Sequence, residues 1–252
     1  MKAINFDKVA DIYDHYVKVD FDIPFFLNET ENYSGEILEL MCGTGRVSIP
    51  LLEAGRKMTC IDYSKGMLDR FQQKIEGKKY PVNLVEMDVT RLKLEKKFSI
   101  IILPFHSISE IISPEKQKTT LHKIAAHLND NGTFILTLQN PITRLQQADG
   151  QHRKIGEFSC DKNEKLVLSS QTEYHTNTQI VSGFQFYNIY NSNNELIEYR
   201  KLEINFRLIS NKELREMLIG TNLEITAVYG DYDYTPFDEQ TSNFMSFRLK
   251  KI

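Results

Sequence analysis

Ile37-Leu38-Glu39-Leu40-Met41-Cys42-Gly43-Thr44-Gly45-Arg46 reads as an apolar strand that runs into two glycines and then into a helix. Glycines at such a turn accept positive φ and let the backbone approach a ligand closely, while the following helix N-terminus offers N–H donors. A nucleotide-like ligand is implied. A dinucleotide fingerprint would place glycine or alanine three residues after Gly45, to admit a pyrophosphate and pack helix on strand. Ser48 occupies that position. Glu39, just before the glycines, would meet a diphosphate unfavourably and suits a cationic ligand.

Working outward, the helix begun at about Gly45 runs to Ala54 and stops at Gly55. Glu36 to Met41, Met58 to Ile61, Val82 to Val85, Phe98 to Leu103 and Thr133 to Leu138 read as strands. Ser64 caps a helix whose inner stripe is Met67, Leu68, Phe71 and Ile75, stopped by Gly77. Ser113-Pro114-Glu115 starts another, which Asn131-Gly132 ends. Strands separated by helices or crossover loops predict a parallel doubly wound sheet. Ile4 to Tyr33 reads as two helices, one carrying Phe6, Val9, Tyr13 and Tyr16, the other Phe21, Phe25 and Phe26 with Pro24 at its start.

After Asn140-Pro141 the rhythm changes, with strand-like stretches near Leu166, Tyr187 and Leu202. Leu202, Ile204, Phe206 and Leu208 alternate with Glu203, Asn205 and Arg207, as a half-buried antiparallel strand does. Residues 142–209 are therefore expected to form a β-rich insertion, and 1–141 with 210–252 the α/β domain. Ser210 and Glu213 make a capping box on a helix carrying Leu214, Met217 and Leu218. Leu223 to Tyr229 and Phe244 to Leu249 complete a Rossmann-like doubly wound sheet of seven strands.

The 252 residues carry 31 Lys+Arg against 34 Asp+Glu, a net charge of -3, which leaves no surplus of cations for a nucleic-acid backbone. Three cysteines without a C-x-x-C pair suggest neither a disulfide framework nor a zinc site, and a reducing compartment is expected. The longest apolar run, Ile100 to Phe105, is far too short for a membrane helix, and residues 1–6 lack a signal-peptide core. A cytoplasmic protein without metal or membrane is expected, as a monomer or homodimer.

Asp62 ends the second strand, where a carboxylate can accept both hydroxyls of a ribose. Asp88-Val89 follows the third, where an acid can take an adenine amino proton and the next backbone N–H can meet a ring nitrogen. Three acids at successive strand ends surround one crevice and favour an adenosine carrying a positive centre over one carrying phosphates. Through E-L-M-C-G-T-G-R, I-D-Y-S-K-G-M-L, E-M-D-V and F-S-I-I-I-L-P-F-H-S-I, the chain resembles the class I S-adenosylmethionine-dependent methyltransferases over roughly residues 5–140 and 210–252. The resemblance implies S-adenosyl-L-methionine as cofactor. It implies Glu39, Gly43 and Gly45 around the methionine end, Asp62 on the ribose, Tyr63 and Met67 on the adenine face, Asp88 and Val89 on its edge, and Leu103 lining the site. Met41-Cys42 stands where that family commonly has a small residue. The D-I-P-F-F-L segment, the insertion and Tyr229-Gly230-Asp231-Tyr232-Asp233 look like a bacterial subgroup acting on small molecules, in which N-terminal lid helices and the insertion close over the cofactor.

Other residues admit two readings. Tyr13 and Tyr16 either pack the first helix on the body or reach the cofactor, the resemblance implying a tyrosine contact at its methionine end. Phe21, Phe25 and Phe26 read as core or lid packing, and Phe184, Phe186, Tyr187 and Tyr190 as a sheet face. His106, beyond the fourth strand, is either structural or a base taking the acceptor's proton, a role open also to a tyrosine such as Tyr16. The expected activity is in-line transfer of a methyl group to N or O of a small-molecule acceptor. An RNA- or protein-directed methyltransferase is the alternative, disfavoured by charge. An NAD-dependent enzyme is a third reading, opposed by Ser48 and Glu39.

Overall fold

Strands β1 (Ile37–Leu40), β2 (Met58–Asp62), β3 (Val82–Glu86), β4 (Phe98–Leu103) and β5 (Leu128–Gln139) lie parallel in the order β3-β2-β1-β4-β5 in the computed structural model. It describes residues 3–252, apart from the side chain of Lys162. β1 and β2 are buried along their whole length, which is why they read as near-continuous apolar runs. β10 (Leu223–Tyr229) and β11 (Phe244–Lys251) extend the sheet beyond β5, with β11 antiparallel to both its neighbours. Seven strands result, as expected.

The helices between them obey their local signals. Before α4 (Lys65–Lys74), the Ser64 hydroxyl accepts from the Met67 amide at 3.2 Å, and Met67, Leu68 and Phe71 are buried. Before α5 (Pro114–His127), Ser113 accepts from the Lys116 amide at 3.2 Å. Two boundaries differ. The helix after the glycines, α3 (Ser48–Glu53), begins three residues later than expected, because Gly43 and Gly45 at φ +55° and +80° cannot belong to its first turn. α5 ends at His127 and the chain is extended from Leu128, which is fully buried opposite Phe98; Asn131 and Gly132 fall inside β5. His127 secures that end by accepting from the Leu94 amide at 2.9 Å.

The expected first helix is broken into a 3-10 turn at Phe6–Lys8 and a short α1 (Tyr13–Tyr16), while the expected second forms, after an irregular link, as α2 (Ile23–Thr30) with Pro24 in its first turn and Phe21 outside it. Tertiary contacts override the helical stripe, because three aspartates are drawn to α4 and the glycine loop. Asp7 accepts from the Ser64 hydroxyl at 2.7 Å and the Gly66 amide at 2.8 Å. Asp14 accepts from the Thr44 hydroxyl at 2.6 Å and pairs with Lys74 at 2.9 Å and Arg70 at 3.2 Å. Asp22 takes a bidentate bond from Arg46 at 2.5 and 2.7 Å.

A second sheet, an antiparallel meander, is formed by β6 (Asp149–Ser159), β7 (Lys165–His175), β8 (Ile180–Tyr190) and β9 (Leu196–Arg207) after the short α6 (Pro141–Leu145). Its inner face, with Leu166, Leu168, Tyr187 and Ile204, buries Ile4, Val9 and Ile12 of the N-terminal segment. β6 lacks apolar alternation because it is an edge strand, held by main-chain bonds to β7 with two register shifts. The alternation in β9 stops at Ile204: Asn205 and Arg207 are as buried as Leu208, since the strand end runs under α5 and α7 (Asn211–Leu218). There Arg207 donates to Gln117 at 3.0 Å and pairs with Glu213. Ser210 caps α7 through the Glu213 amide at 3.2 Å, but the Glu213 carboxylate goes to Arg207, so only half of the capping box forms. Among the described residues no helix is long and apolar enough to cross a membrane.

Removing one partner of a buried ion pair leaves the other uncompensated, so Arg207→Met should cost about 3 kcal/mol in urea denaturation. Glu213→Gln leaves the guanidinium, 4% exposed against 21% for the Glu213 side chain, without its counter-charge and should cost at least as much. A loss below about 1 kcal/mol in both variants would show that the buried charge is not what matters.

Candidate active site

Strand order reverses between β1 and β4, and in open α/β sheets the crevice at that point, beyond the carboxyl ends of the strands, is where ligands bind. The glycine loop forms one wall. A Cβ on Gly45 would lie 2.6 Å from the Phe71 ring, whereas one on Gly43 would meet nothing within 4 Å, so the loop is tight towards α4 and open on its other side. The Gly43 amide donates to one oxygen of Asp62 and the Ser64 amide to the other, each at 2.8 Å. Burial raises the Asp62 pKa, with these amide bonds acting against it.

Glu39 is 1% exposed and accepts from the Ser48 hydroxyl. The residue at odds with a dinucleotide fingerprint is thus the one that satisfies Glu39. Burial pushes the Glu39 carboxyl up to about 8, opposed by Ser48 and by the charge of Arg46. Asp88 lies at the end of β3, exposed, and accepts from the Thr90 amide at 2.8 Å, with Val89 buried beside it. The Tyr63 hydroxyl donates to the Ile4 carbonyl, and Met67 is buried on α4. Glu39, Gly43 and Tyr13 line one small cavity of about 50 Å³, whereas Gly45, Asp62, Asp88, Val89, Tyr63 and Met67 are not part of its lining.

Tyr13 and Phe105 also line a cavity of about 300 Å³ between the two sheets, with Tyr16, His106, Glu110 and Arg144. Leu103 is fully buried in the core, and the lining begins one residue later with Pro104. Phe105 and His106 both adopt left-handed backbone, at φ +55° and +51°, a conformation that non-glycine residues keep only where their surroundings enforce it. The His106 ring stacks on Phe105 at 4.9 Å, and its Nδ1 is buried without a hydrogen-bond partner. Burial, then the charges of Arg144 and Arg46, push His106 down to about 3, so the imidazole is neutral. The Tyr16 hydroxyl lies 3.2 Å from that of Tyr187, which donates to Gln185 at 2.6 Å. Burial raises the pKa of both Tyr13 and Tyr16.

Three residues at these cavities were not foreseen. Glu110, at the end of a 3-10 turn, faces the larger one; burial, then the charge of Asp62, push it up to about 8. Its signal was present, for it is the one acid between Lys97 and Glu115 and follows a parallel strand. Arg46 is held bidentately by Asp22 and lies over the Phe105 ring at 4.6 Å. Arg144 lines the larger cavity from α6. Phe25 and Phe26 are core, while Phe21 is 48% exposed against Tyr232 and Phe244.

The smaller cavity suits a ligand with a positive centre: Glu39 accepts hydrogen bonds when ionised, Asp62 lies just behind the Gly43 amide, and among the lining residues the one cation, Arg46, is already paired with Asp22.

An unfolded histidine takes a proton near 6.5 and folded His106 only near 3, so between these values the native state binds fewer protons and stability falls as pH falls. Asparagine tolerates left-handed backbone. His106→Asn should therefore gain about 1–2 kcal/mol relative to wild type between pH 7 and pH 5 in denaturant titrations. Parallel curves would show that His106 is not held neutral.

Residues 37–132 match the sequence profile of a family described as "Methyltransferase domain". The chain is 26% identical over 209 residues to the cypemycin N-terminal methyltransferase of Streptomyces sp, spanning 83% of this chain and 80% of that protein. Its fold matches the CcbJ methyltransferase from Streptomyces caelestis with a TM-score of 0.83 at 20% identity, covering 97% of this chain and 96% of the other. It matches SAM-bound CalS10, an amino pentose methyltransferase from Micromonospora echinaspora, with a TM-score of 0.71 at 14% identity, covering 96% and 95%. With the glycine loop, the strand-end acids and this sheet order, residues 37–132 are similar to a methyltransferase domain and the chain has the fold of S-adenosylmethionine-dependent methyltransferases.

Proposed function

We propose that this enzyme methylates an amine nitrogen of a small molecule held in the 300 Å³ cavity. The observation that carries this reading is that the cavity shares Tyr13 and Phe105 with the pocket at the glycine loop, so one wall serves both methyl donor and acceptor. Its volume is that of a small-molecule site, and the names of two similar proteins, an N-terminal methyltransferase and the sugar N-methyltransferase KedS8 from Streptoalloteichus sp, support nitrogen.

In this reading Glu39, Gly43 and Gly45 hold the methionine end of S-adenosyl-L-methionine, Asp62 the ribose, Tyr63 and Met67 the adenine face, and Asp88 with Val89 its edge. Leu103 backs the site from the core. The bound cofactor supplies an electrophilic methyl group on a sulfonium. Tyr13 and Phe105 keep water from the path between the two cavities. Glu110 takes the proton from the incoming ammonium, leaving the nitrogen lone pair free; a carboxyl raised to about 8 has the matching affinity. His106 is too weak a base for that and instead accepts a hydrogen bond at Nδ1. Tyr16, tied to Tyr187, positions the acceptor rather than exchanging protons. Unpaired thiols at Cys42, Cys60 and Cys160 support a cytoplasmic setting.

Calorimetry with S-adenosyl-L-methionine and NAD side by side should give binding of the former alone, weakened roughly tenfold or more in Asp62→Ala by loss of bonds to a charged group. Failure of the wild type to bind S-adenosyl-L-methionine would falsify the reading. With methyl-labelled cofactor and a panel of primary amines, Glu110→Gln should lower kcat about 100-fold while leaving cofactor affinity intact. An unchanged kcat would remove Glu110 from proton transfer.

A further inference from the structure

Arg144 differs from the arginines whose charge is met by a carboxylate; Arg56, half-buried with its Nε unpartnered, also lacks one among the described residues but lines neither cavity. Arg46 faces Asp22 at 2.5 Å, Arg200 faces Asp11 at 2.5 Å, and Arg207 faces Glu213. Among the described residues no carboxylate lies within 4 Å of Arg144; its guanidinium donates to Gln147 at 3.3 Å and lies 5.0 Å over the Phe206 ring. It is half-buried, and nothing opposes the effect of that burial, which lowers its proton affinity. Withdrawing a cation from water without a counter-charge is unfavourable.

α6, which carries it, is firmly held. The buried Asn140 caps the helix through the Ile142 amide at 3.3 Å and donates to the carbonyls of Glu239 and Ser242 at 2.8 Å. Arg144 is therefore presented to the cavity by a fixed element. The same cavity contains Glu110, which likewise has no cationic partner among the described residues, so a guanidinium and a carboxyl face one space without pairing with each other. A guanidinium fork is matched by a planar carboxylate, which accepts two parallel N–H bonds.

We propose that the methyl acceptor is an amino carboxylic acid whose carboxylate is held by Arg144 while its amine lies toward Glu110. The assignment rests on the reading of this cavity as the acceptor site. It makes Arg144 a specificity-determining residue, because an acceptor without the anion would leave a desolvated cation unmatched, and the cost of that mismatch discriminates between substrates. Phe206 holds the guanidinium plane from one side, so that its edge remains free for the ligand.

The test uses the full chain saturated with S-adenosylhomocysteine, so that no turnover occurs. The probes are ω-amino acids from glycine to 6-aminohexanoate, with the matched ω-amino amides and aminoalkyl phosphonates, titrated calorimetrically. At least one amino acid should bind tenfold or more tightly than its amide. Arg144→Met should reduce that preference to within twofold, and Arg144→Lys should retain part of it. Both variants should keep wild-type affinity for S-adenosyl-L-methionine, which shows that they are folded. No preference for any acid over its amide, or a preference that survives in Arg144→Met, overturns the proposal. Tighter binding of the phosphonates overturns the carboxylate assignment. Loss of S-adenosyl-L-methionine binding by the wild type would instead overturn the methyltransferase reading itself.

Discussion

The ion pair between Arg46 and Asp22 is the constraint on which the arrangement of the site depends. The Asp22 side chain is fully buried and that of Arg46 is only 15% exposed, so neither charge can be left alone. Arg46 belongs to the loop after β1, Asp22 precedes α2, and the guanidinium also bonds the Val19 carbonyl at 2.9 Å and covers Phe105 beyond β4. One side chain thereby fixes three segments that are remote in sequence, and the wall shared by the two cavities is among them. Asp7 and Asp14 repeat the device on α4 and the glycine loop, which lets an irregular segment with few helical turns stay in place.

Around this fixed frame the site gathers groups whose charged forms the protein disfavours. Glu39 and Glu110 are raised and His106 is lowered, in each case chiefly by burial. A region that held all of these only for its own stability would do better with apolar side chains. The cost is sustained because the sheet below is continuous: Leu38, Leu40, Ile100, Ile101, Ile102 and Leu103 are entirely removed from solvent, and the strained Phe105-His106 turn rests on that foundation.

Helix caps were legible in the sequence because they are local: Ser64, Ser113 and Ser210 each act on an amide three residues away. Strands of the main sheet were legible for a related reason, since burial on both faces leaves an apolar run such as Ile100–Leu103. The acids at strand ends could be placed once the strands were. What could not be read depended on partners distant along the chain. Arg46 looks like a surface residue until Asp22 is beside it, and Glu213 looks like a capping residue until Arg207 takes its carboxylate. The N-terminal stripe fits a helix until three aspartates are drawn elsewhere. β6 gave no signal because an edge strand needs only main-chain bonds. Arg144 is the opposite case, a residue whose meaning lies in the absence of an internal counter-charge, and no local pattern records that.

The packing of the N-terminal segment on the second sheet bears on the order of folding during synthesis. Ile4, Val9 and Ile12 are buried against Leu166, Tyr187, Leu202 and Ile204, and Arg200 donates to the Lys8 carbonyl at 3.1 Å across 192 positions. These first apolar side chains leave the ribosome long before the surface that covers them exists. At about 5–20 residues per second they wait roughly 10–40 s. The parallel core can close around β1, β4 and β5 in that interval, but the wall containing Tyr13 and Tyr16 cannot be completed until β9 has emerged. The larger cavity is thus late to acquire its shape, although one side of it is made from residues that precede β9 by most of the chain.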